Sequence, residues 1–169
     1  MWILYIFALI IVGSLAYAAA SGAPWVPTWN KDLNRIQRLL DLKAGDKFIE
    51  LGSGNGRVCR HLAKTSEADV SGIELSLLQH AVSLVQNQIS RSKVKSLFGN
   101  VFKHDLSQYD AVYLFLMPET YLKIKPKFEK ELRPGTRVVS YVWPIPEWEP
   151  IKIDEVAGSS KLYFYIVKK

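Results

Sequence analysis

The sequence predicts an α/β fold, a mostly parallel sheet covered by helices and ending in an antiparallel strand. Three observations carry that expectation. Short apolar runs alternate with amphipathic stretches through residues 47–142, the pattern of strands joined by crossover helices. Ala111-Val112-Tyr113-Leu114-Phe115-Leu116 is apolar throughout, as a central strand covered on both faces should be. Two further runs, residues 151–156 and 162–167, flank Gly158-Ser159-Ser160 and read as an antiparallel hairpin.

The chain has 169 residues, of which 49% are apolar and 22% charged, so intrinsic disorder and collagen-like structure are excluded. Its single cysteine excludes an internal disulfide and a zinc site built on cysteines alone. A net charge of +6 favours anionic partners without choosing among them.

Residues 1–30 contain no charged side chain. The first twenty, MWILYIFALIIVGSLAYAAA, would span roughly 30 Å as a helix, the hydrocarbon thickness of a bilayer. Trp2, Tyr5 and Tyr17 lie near the ends, where amphipathic rings favour the interface. A cleaved signal peptide would carry a basic n-region, which is missing here, although Ala18-Ala19-Ala20 offers small residues for cleavage. The expectation is therefore a transmembrane anchor over residues 1–22. Lys31, Arg35, Arg38 and Lys43 follow it, and the positive-inside rule then places a single-pass protein with its C-terminal domain in the cytoplasm or an organelle matrix. Residues 23–30, with Pro24 and Pro27, form a linker and substrate-side approach segment. Residues 31–169 form one compact domain.

Within that domain, Leu33, Ile36, Leu39 and Leu40 predict a helix over 31–42 with Asn30 as its N-cap. Residues 47–51 read as a strand, followed by the turn Gly52-Ser53-Gly54-Asn55-Gly56 and a helix with Val58 and Leu62 inward. Residues 69–74 form the next strand. Ser76 caps a helix with Leu78, Ala81, Val82, Val85 and Ile89 on one face. Residues 94–98 and 111–116 form the third and fourth strands. Pro118-Glu119 opens a helical stretch that Pro126 divides or restarts, and residues 137–142 form the fifth strand.

The sharpest local signal is Glu50-Leu51-Gly52-Ser53-Gly54-Asn55-Gly56. Glycines between a strand end and a helix start let the backbone turn tightly and approach a ligand closely. Glu74 ends the second strand, where a carboxylate can accept hydrogen bonds from two ribose hydroxyls. Asn100-Val101 follows the third strand, where a polar side chain and a backbone N–H can read an adenine edge. These positions share the C-terminal edge of the sheet, the ligand edge of open α/β folds. The third glycine comes one residue early for a dinucleotide fingerprint, and no P-loop motif occurs.

The pattern E-x-G-x-G-x-G resembles motif I of class I S-adenosylmethionine-dependent methyltransferases, over roughly residues 28–169. The resemblance implies a Rossmann-like, seven-stranded sheet and S-adenosylmethionine as cofactor, with S-adenosylhomocysteine as product and no metal. It implies that Glu50, Gly52, Ser53, Gly54 and Gly56 hold the methionine and ribose, with Glu74 and Leu75 at the ribose. Asn100, in place of the commoner Asp, and Val101 would frame the adenine, and Leu116 and Met117 would lie beside the sulfonium. Further parts of the chain, Val26-Pro27-Thr28, residues 105–112 and Trp143-Pro144-Ile145-Pro146-Glu147-Trp148, are similar to one small group within that family. This group comprises membrane-bound protein-lysine methyltransferases, among them mitochondrial enzymes acting on the c-ring protein of ATP synthase and the adenine nucleotide translocase, with prokaryotic relatives. It implies a lysine acceptor on a membrane or membrane-associated protein, with Thr28, Trp29, Met117 and Trp143 on the substrate side. Tyr113 and Phe115 are further aromatic candidates there.

Two other readings stay open: an RNA or small-molecule methyltransferase, and a binding module that keeps the pocket without catalysis. The Asn-Pro-Pro-Tyr type of motif after the fourth strand is missing; Leu116-Met117-Pro118-Glu119 stands there, which argues against adenine methylation. Cys59 and His61 point to different faces of their helix, and Cys59 is expected to pack against the sheet. His80 and His104 have no neighbours at metal-ligand spacing. The basic run from Lys123 to Arg137 reads as a solvated face or an anionic-lipid contact; with no interleaved aromatics it suits nucleic acid less well.

Overall fold

The computed structural model describes residues 26–168, together with residues 1, 2, 4–6, 9, 12, 13 and 16. After a 3-10 turn over Asn30–Asp32 come α1 (Leu33–Leu40), β1 (Lys47–Leu51), α2 (Arg57–Thr65), β2 (Asp69–Glu74) and α3 (Leu77–Ile89). There follow β3 (Lys95–Phe98), β4 (Ala111–Leu114), α4 (Pro118–Glu131), β5 (Arg137–Tyr141), β6 (Lys152–Asp154) and β7 (Leu162–Ile166). The strands form one seven-stranded sheet in the order β3-β2-β1-β4-β5-β7-β6. β1 to β5 pair in parallel, β7 runs antiparallel to β5, and β6 runs antiparallel to β7.

Alternation along the strands divides the core into two layers. Phe48, Ala111, Tyr113 and Val139 pack with Ile36 and Leu40 of α1 and with Val58 and Leu62 of α2. Ile49, Leu51, Val112 and Leu114 pack with Tyr121, Ile124 and Phe128 of α4. Burying each such side chain contributes about 1.5–3 kcal/mol, and the two layers hold the C-terminal strand ends level.

Several elements depart from expectation. The first turn before α1 is 3-10, and Trp29 occupies the cap position without a side-chain cap bond. α4 continues unbroken across Pro126. The proline removes one N–H, whose carbonyl partner would be that of Leu122, on the exposed side where water can replace it. α3 turns polar Gln79, Ser83 and Asn87 inward and leaves Val85 and Ile89 exposed. The basic run is largely paired: Lys127 with Glu131 at 2.6 Å, Arg133 with Asp110 at 2.7 Å, Lys125 with Glu129 and Glu147, and Arg137 with Asp46.

The anchor expected over residues 1–22, and the single-pass placement and lipid contact drawn from it, require correction. A crossing helix needs about 20 consecutive apolar residues. Among the described residues no helix is long and apolar enough to cross a membrane. Most of residues 1–22, and the linker residues 23–25, lie outside the described residues.

Candidate functional site

The site is built on the C-terminal edge of β1, β2 and β4. After β1 the chain turns back on β2, where the N–H groups of Gly52 and Ser53 both donate to the Ile73 carbonyl at 3.0 Å. The turn requires left-handed backbone at all three glycines, with φ of 74° at Gly52, 52° at Gly54 and 73° at Gly56. Gly56 starts α2, and a Cβ there would come within 2.5 Å of Ser83 Oγ. Only glycine meets both demands.

Glu74 ties the second strand to this loop. One carboxylate oxygen accepts from Gly54 N–H at 2.7 Å and the other from Ser76 N–H at 2.7 Å. A carboxylate offers about four lone-pair positions, so these two bonds alone do not saturate it. Gly99 N–H donates to the Glu74 carbonyl at 3.0 Å, which sets Asn100 and Val101 beside it. Asn100 Oδ1 accepts from Phe102 N–H at 2.8 Å and so fixes the turn. Leu75 is half-buried just beyond Glu74.

Glu50, on β1, is buried like Glu74, each 5% exposed. Its carboxylate accepts from Cys59 N–H at 3.3 Å and from the Cys59 thiol at 3.0 Å. Burial pushes the Glu50 carboxyl up to about 8, against the two Cys59 hydrogen bonds and with the charge of Glu74 adding to the rise. The Cys59 thiol is itself pushed well above its ordinary range, by burial first and then by Glu50, so it is a packed thiol rather than a nucleophile.

The other rim is formed by the approach segment and the ends of β4 and β5. Thr28 is buried; its hydroxyl pairs with the Tyr113 hydroxyl at 2.8 Å and its carbonyl accepts from Arg57 Nη1 at 2.9 Å. Tyr113 stands opposite Glu50 in the β1–β4 register and is fully buried, so it supports the rim and does not wall it. Trp29 is 57% exposed and carries the Lys31 ammonium 4.3 Å over its ring. Leu116 is buried and Met117 half-buried at the start of α4. Beyond β5, Val142 takes a left-handed φ of 71°, held by its N–H to the Lys161 carbonyl at 2.9 Å. Ser140 Oγ donates to the Trp143 carbonyl at 2.7 Å, and Trp143 is 42% exposed.

The structure thus brings Glu50, the glycine loop, Glu74, Asn100 and Leu116 to one edge, with Met117 and Trp143 just past the ends of β4 and β5 and Thr28 and Trp29 on the segment before α1. Sequence reading missed Arg57, whose clasp on Thr28 depends on tertiary approach. It also missed Gln79, whose buried Oε1 has no partner among the described residues; only a polar residue on the first turn after Glu74 marked it. Among the described residues, no three His, Cys, Asp or Glu side chains gather into a metal site.

The left-handed glycine loop and the Glu74 carboxylate tied to it fit a nucleoside-bearing cofactor of the S-adenosylmethionine kind. Comparison with known proteins agrees. Residues 50–152 match the family model of the ANTKMT methyltransferase domain. A protein-lysine N-methyltransferase of Saccharolobus islandicus (strain REY15A) is 31% identical over 150 residues, covering 85% of this chain and 93% of that protein. The adenine nucleotide translocase lysine N-methyltransferase of Mus musculus is 27% identical over 148 residues, covering 84% of this chain and 63% of that enzyme. Among solved structures, an RNA methyltransferase from Salinibacter ruber in complex with S-adenosyl-L-homocysteine superposes with a TM-score of 0.80 at 29% identity, covering 83% of this chain and 93% of that one.

Proposed function

Because the chain belongs to the ANTKMT methyltransferase domain family and is an S-adenosylmethionine-dependent methyltransferase, we propose that its acceptor is a lysine side chain of a protein. The observation that carries this reading is that relatives named for lysine methylation match 85% and 84% of the chain.

Glu50, Gly52, Ser53, Gly54 and Gly56 would hold the methionine and ribose, and Glu74 with Leu75 the ribose hydroxyls. Asn100 and Val101 would frame the adenine, and Leu116 and Met117 would border the reacting end. When bound, S-adenosylmethionine supplies a methyl group already activated on its sulfonium. The chain's own task is then chiefly to position the acceptor. A lysine amine must first lose a proton from a reference pKa of about 10.4, and apolar surroundings favour that loss. Thr28, Trp29 and Trp143 would form the acceptor side. Trp29 already stacks an ammonium, that of Lys31, as a cation–π partner of an incoming lysine would. A hollow of about 480 Å³ lined by Val26, Pro27, Trp29, Lys31 and Arg57 opens beside it. The methyltransferase domain then runs over residues 31–169, with 23–30 as the approach segment.

The test is to incubate the protein with methyl-labelled S-adenosylmethionine and cell extract, then locate the label by mass spectrometry. Label on protein lysines is expected. Label confined to RNA, the acceptor class that the Salinibacter neighbour's name suggests, would overturn the lysine reading while leaving the cofactor in place. Gly54→Arg should lower S-adenosylmethionine affinity by at least about 100-fold, because a long side chain fills the loop at a left-handed position. Glu74→Ala should weaken it roughly 10-fold or more through loss of charge-assisted acceptors.

A further inference from the structure

Helix α3 is amphipathic in the inverted sense. Its inward face is polar: Ser83 Oγ lies 3.1 Å from Ser96 Oγ, and Asn87 Nδ2 donates to Ser96 Oγ at 2.9 Å. The apolar face looks outward. Ala81, Val85 and Ile89 form one ridge at four-residue spacing with Leu84 beside it; Val85 is 58% and Ile89 78% exposed. Phe98, exposed on β3 and leaning on His80 with ring centroids 5.6 Å apart, extends the patch across the sheet edge, since β3 is the terminal strand. Together these side chains present roughly 500 Å² of apolar surface, at the upper end of what a monomer commonly leaves uncovered.

We propose that this face is the interface of a two-fold dimer, α3 packed against α3 of a second copy. Three features select a second copy as the occupant. The thirteen residues of α3 include no Asp, Glu, Lys or Arg, so the face offers no counter-charge to an acidic or a basic partner. The chain carries +6, and two such chains approach with least repulsion along an uncharged face. The ridge is also self-complementary. In an antiparallel crossing centred on Val85, small Ala81 of each copy receives Ile89 of the other, the reciprocal contact that an isologous interface requires. With the neighbouring half-buried Leu78 and Val82, the patch comes to roughly 600 Å² per partner, the low end of specific interfaces.

The experiment uses the full chain with Val85→Cys, oxidised mildly and weighed by mass spectrometry without reductant. Native Cys59 is buried and does not compete. The expected product has twice the 19.2 kDa chain mass. Leu122→Cys, exposed on α4, should give none, and Leu84→Glu added to Val85→Cys should reduce cross-linking at least 10-fold with S-adenosylmethionine binding unchanged. Equal cross-linking at positions 85 and 122 would mean non-specific association and overturn the proposal. So would a Val85→Cys monomer, whether its thiol reacts freely, as on an open surface, or is shielded, as under another segment of the same chain.

Discussion

Glu50 is buried beside a thiol and a second carboxylate, and its carboxyl rises from 4.5 to about 8. A group with a raised folded pKa contributes stability that is fully present below about 4.5 and lost as pH rises through 8. The cofactor-free protein should therefore melt at progressively lower temperature between pH 5 and 8.5, and Glu50→Gln should flatten that slope. Thermal melts across the range check it; a wild-type melting point that rises over the same interval would contradict it. If the ligand's α-amino group, with a reference pKa of about 7.7–8.0, meets Glu50, affinity should peak near pH 8. It falls below that as Glu50 holds its proton and above it as the ammonium loses one. Val142 is a second residue with unusual local geometry. A β-branched side chain at φ of 71° carries strain of order 1–3 kcal/mol. Val142→Gly should relieve it, leaving the melting temperature level or a few degrees higher. The same change should raise KM for the acceptor several-fold by loosening Trp143, with cofactor affinity unchanged. A drop of more than about 5 °C would show that the turn is not strained.

Between elements, the 3-10 turn and α1, which follow the approach segment, are held by a charge network around Arg35. Arg35 donates to Asp32 Oδ1 at 2.8 Å, to Asp154 Oδ1 at 2.6 Å and to the carbonyls of Ser160 and Asp154, and Tyr141 donates to Asp32 Oδ2 at 2.6 Å. This joins the 3-10 turn and α1 to the β6–β7 hairpin and the end of β5. Burial opposes ionisation of Asp32, but the hydrogen bonds from Tyr141 and Arg35 outweigh it and hold the carboxyl below its ordinary range. That stability is present above the unfolded pKa and is lost as pH falls through the folded one. Arg35→Ala should cost about 3–5 kcal/mol by leaving the buried Asp32 carboxylate without its cation, and Tyr141→Phe about 1–3 kcal/mol; denaturant titration measures both. None of this was legible beforehand, because Asp32, Arg35, Tyr141 and Asp154 are brought together only by the fold. What was legible had a local cause. β1 and β2 have the expected bounds, since their apolar runs end at Gly52 and Glu74, and Ser76 does cap α3. β4 is shorter than its apolar run because pairing with β5 ends at Leu114 and Ser140. The orientation of α3 was hidden because periodicity marks an apolar face without saying which way it turns.

At the scale of the whole molecule, the strand order sets β1 between β2 and β4, so the ends of the first, second and fourth strands meet at one edge. The strand ends that the sequence assigned to one edge do lie together there, and the arrangement brings Glu50, Glu74 and Leu116 to one side of the sheet although the first and last are 66 positions apart. The terminal hairpin was also legible, since its turn residues separate two apolar runs. The apolar leader was the opposite case: composition alone suggested a spanning helix that the described residues do not contain. We propose that this edge holds S-adenosylmethionine and delivers its methyl group to lysine. The most direct measurement is to count S-adenosylhomocysteine formed against methyl groups found on lysine in one reaction, for the wild type and Gly54→Arg. The wild type should give one methyl group on lysine for each S-adenosylhomocysteine, and the variant neither product. S-adenosylhomocysteine accumulating while every lysine stays unmodified would contradict it.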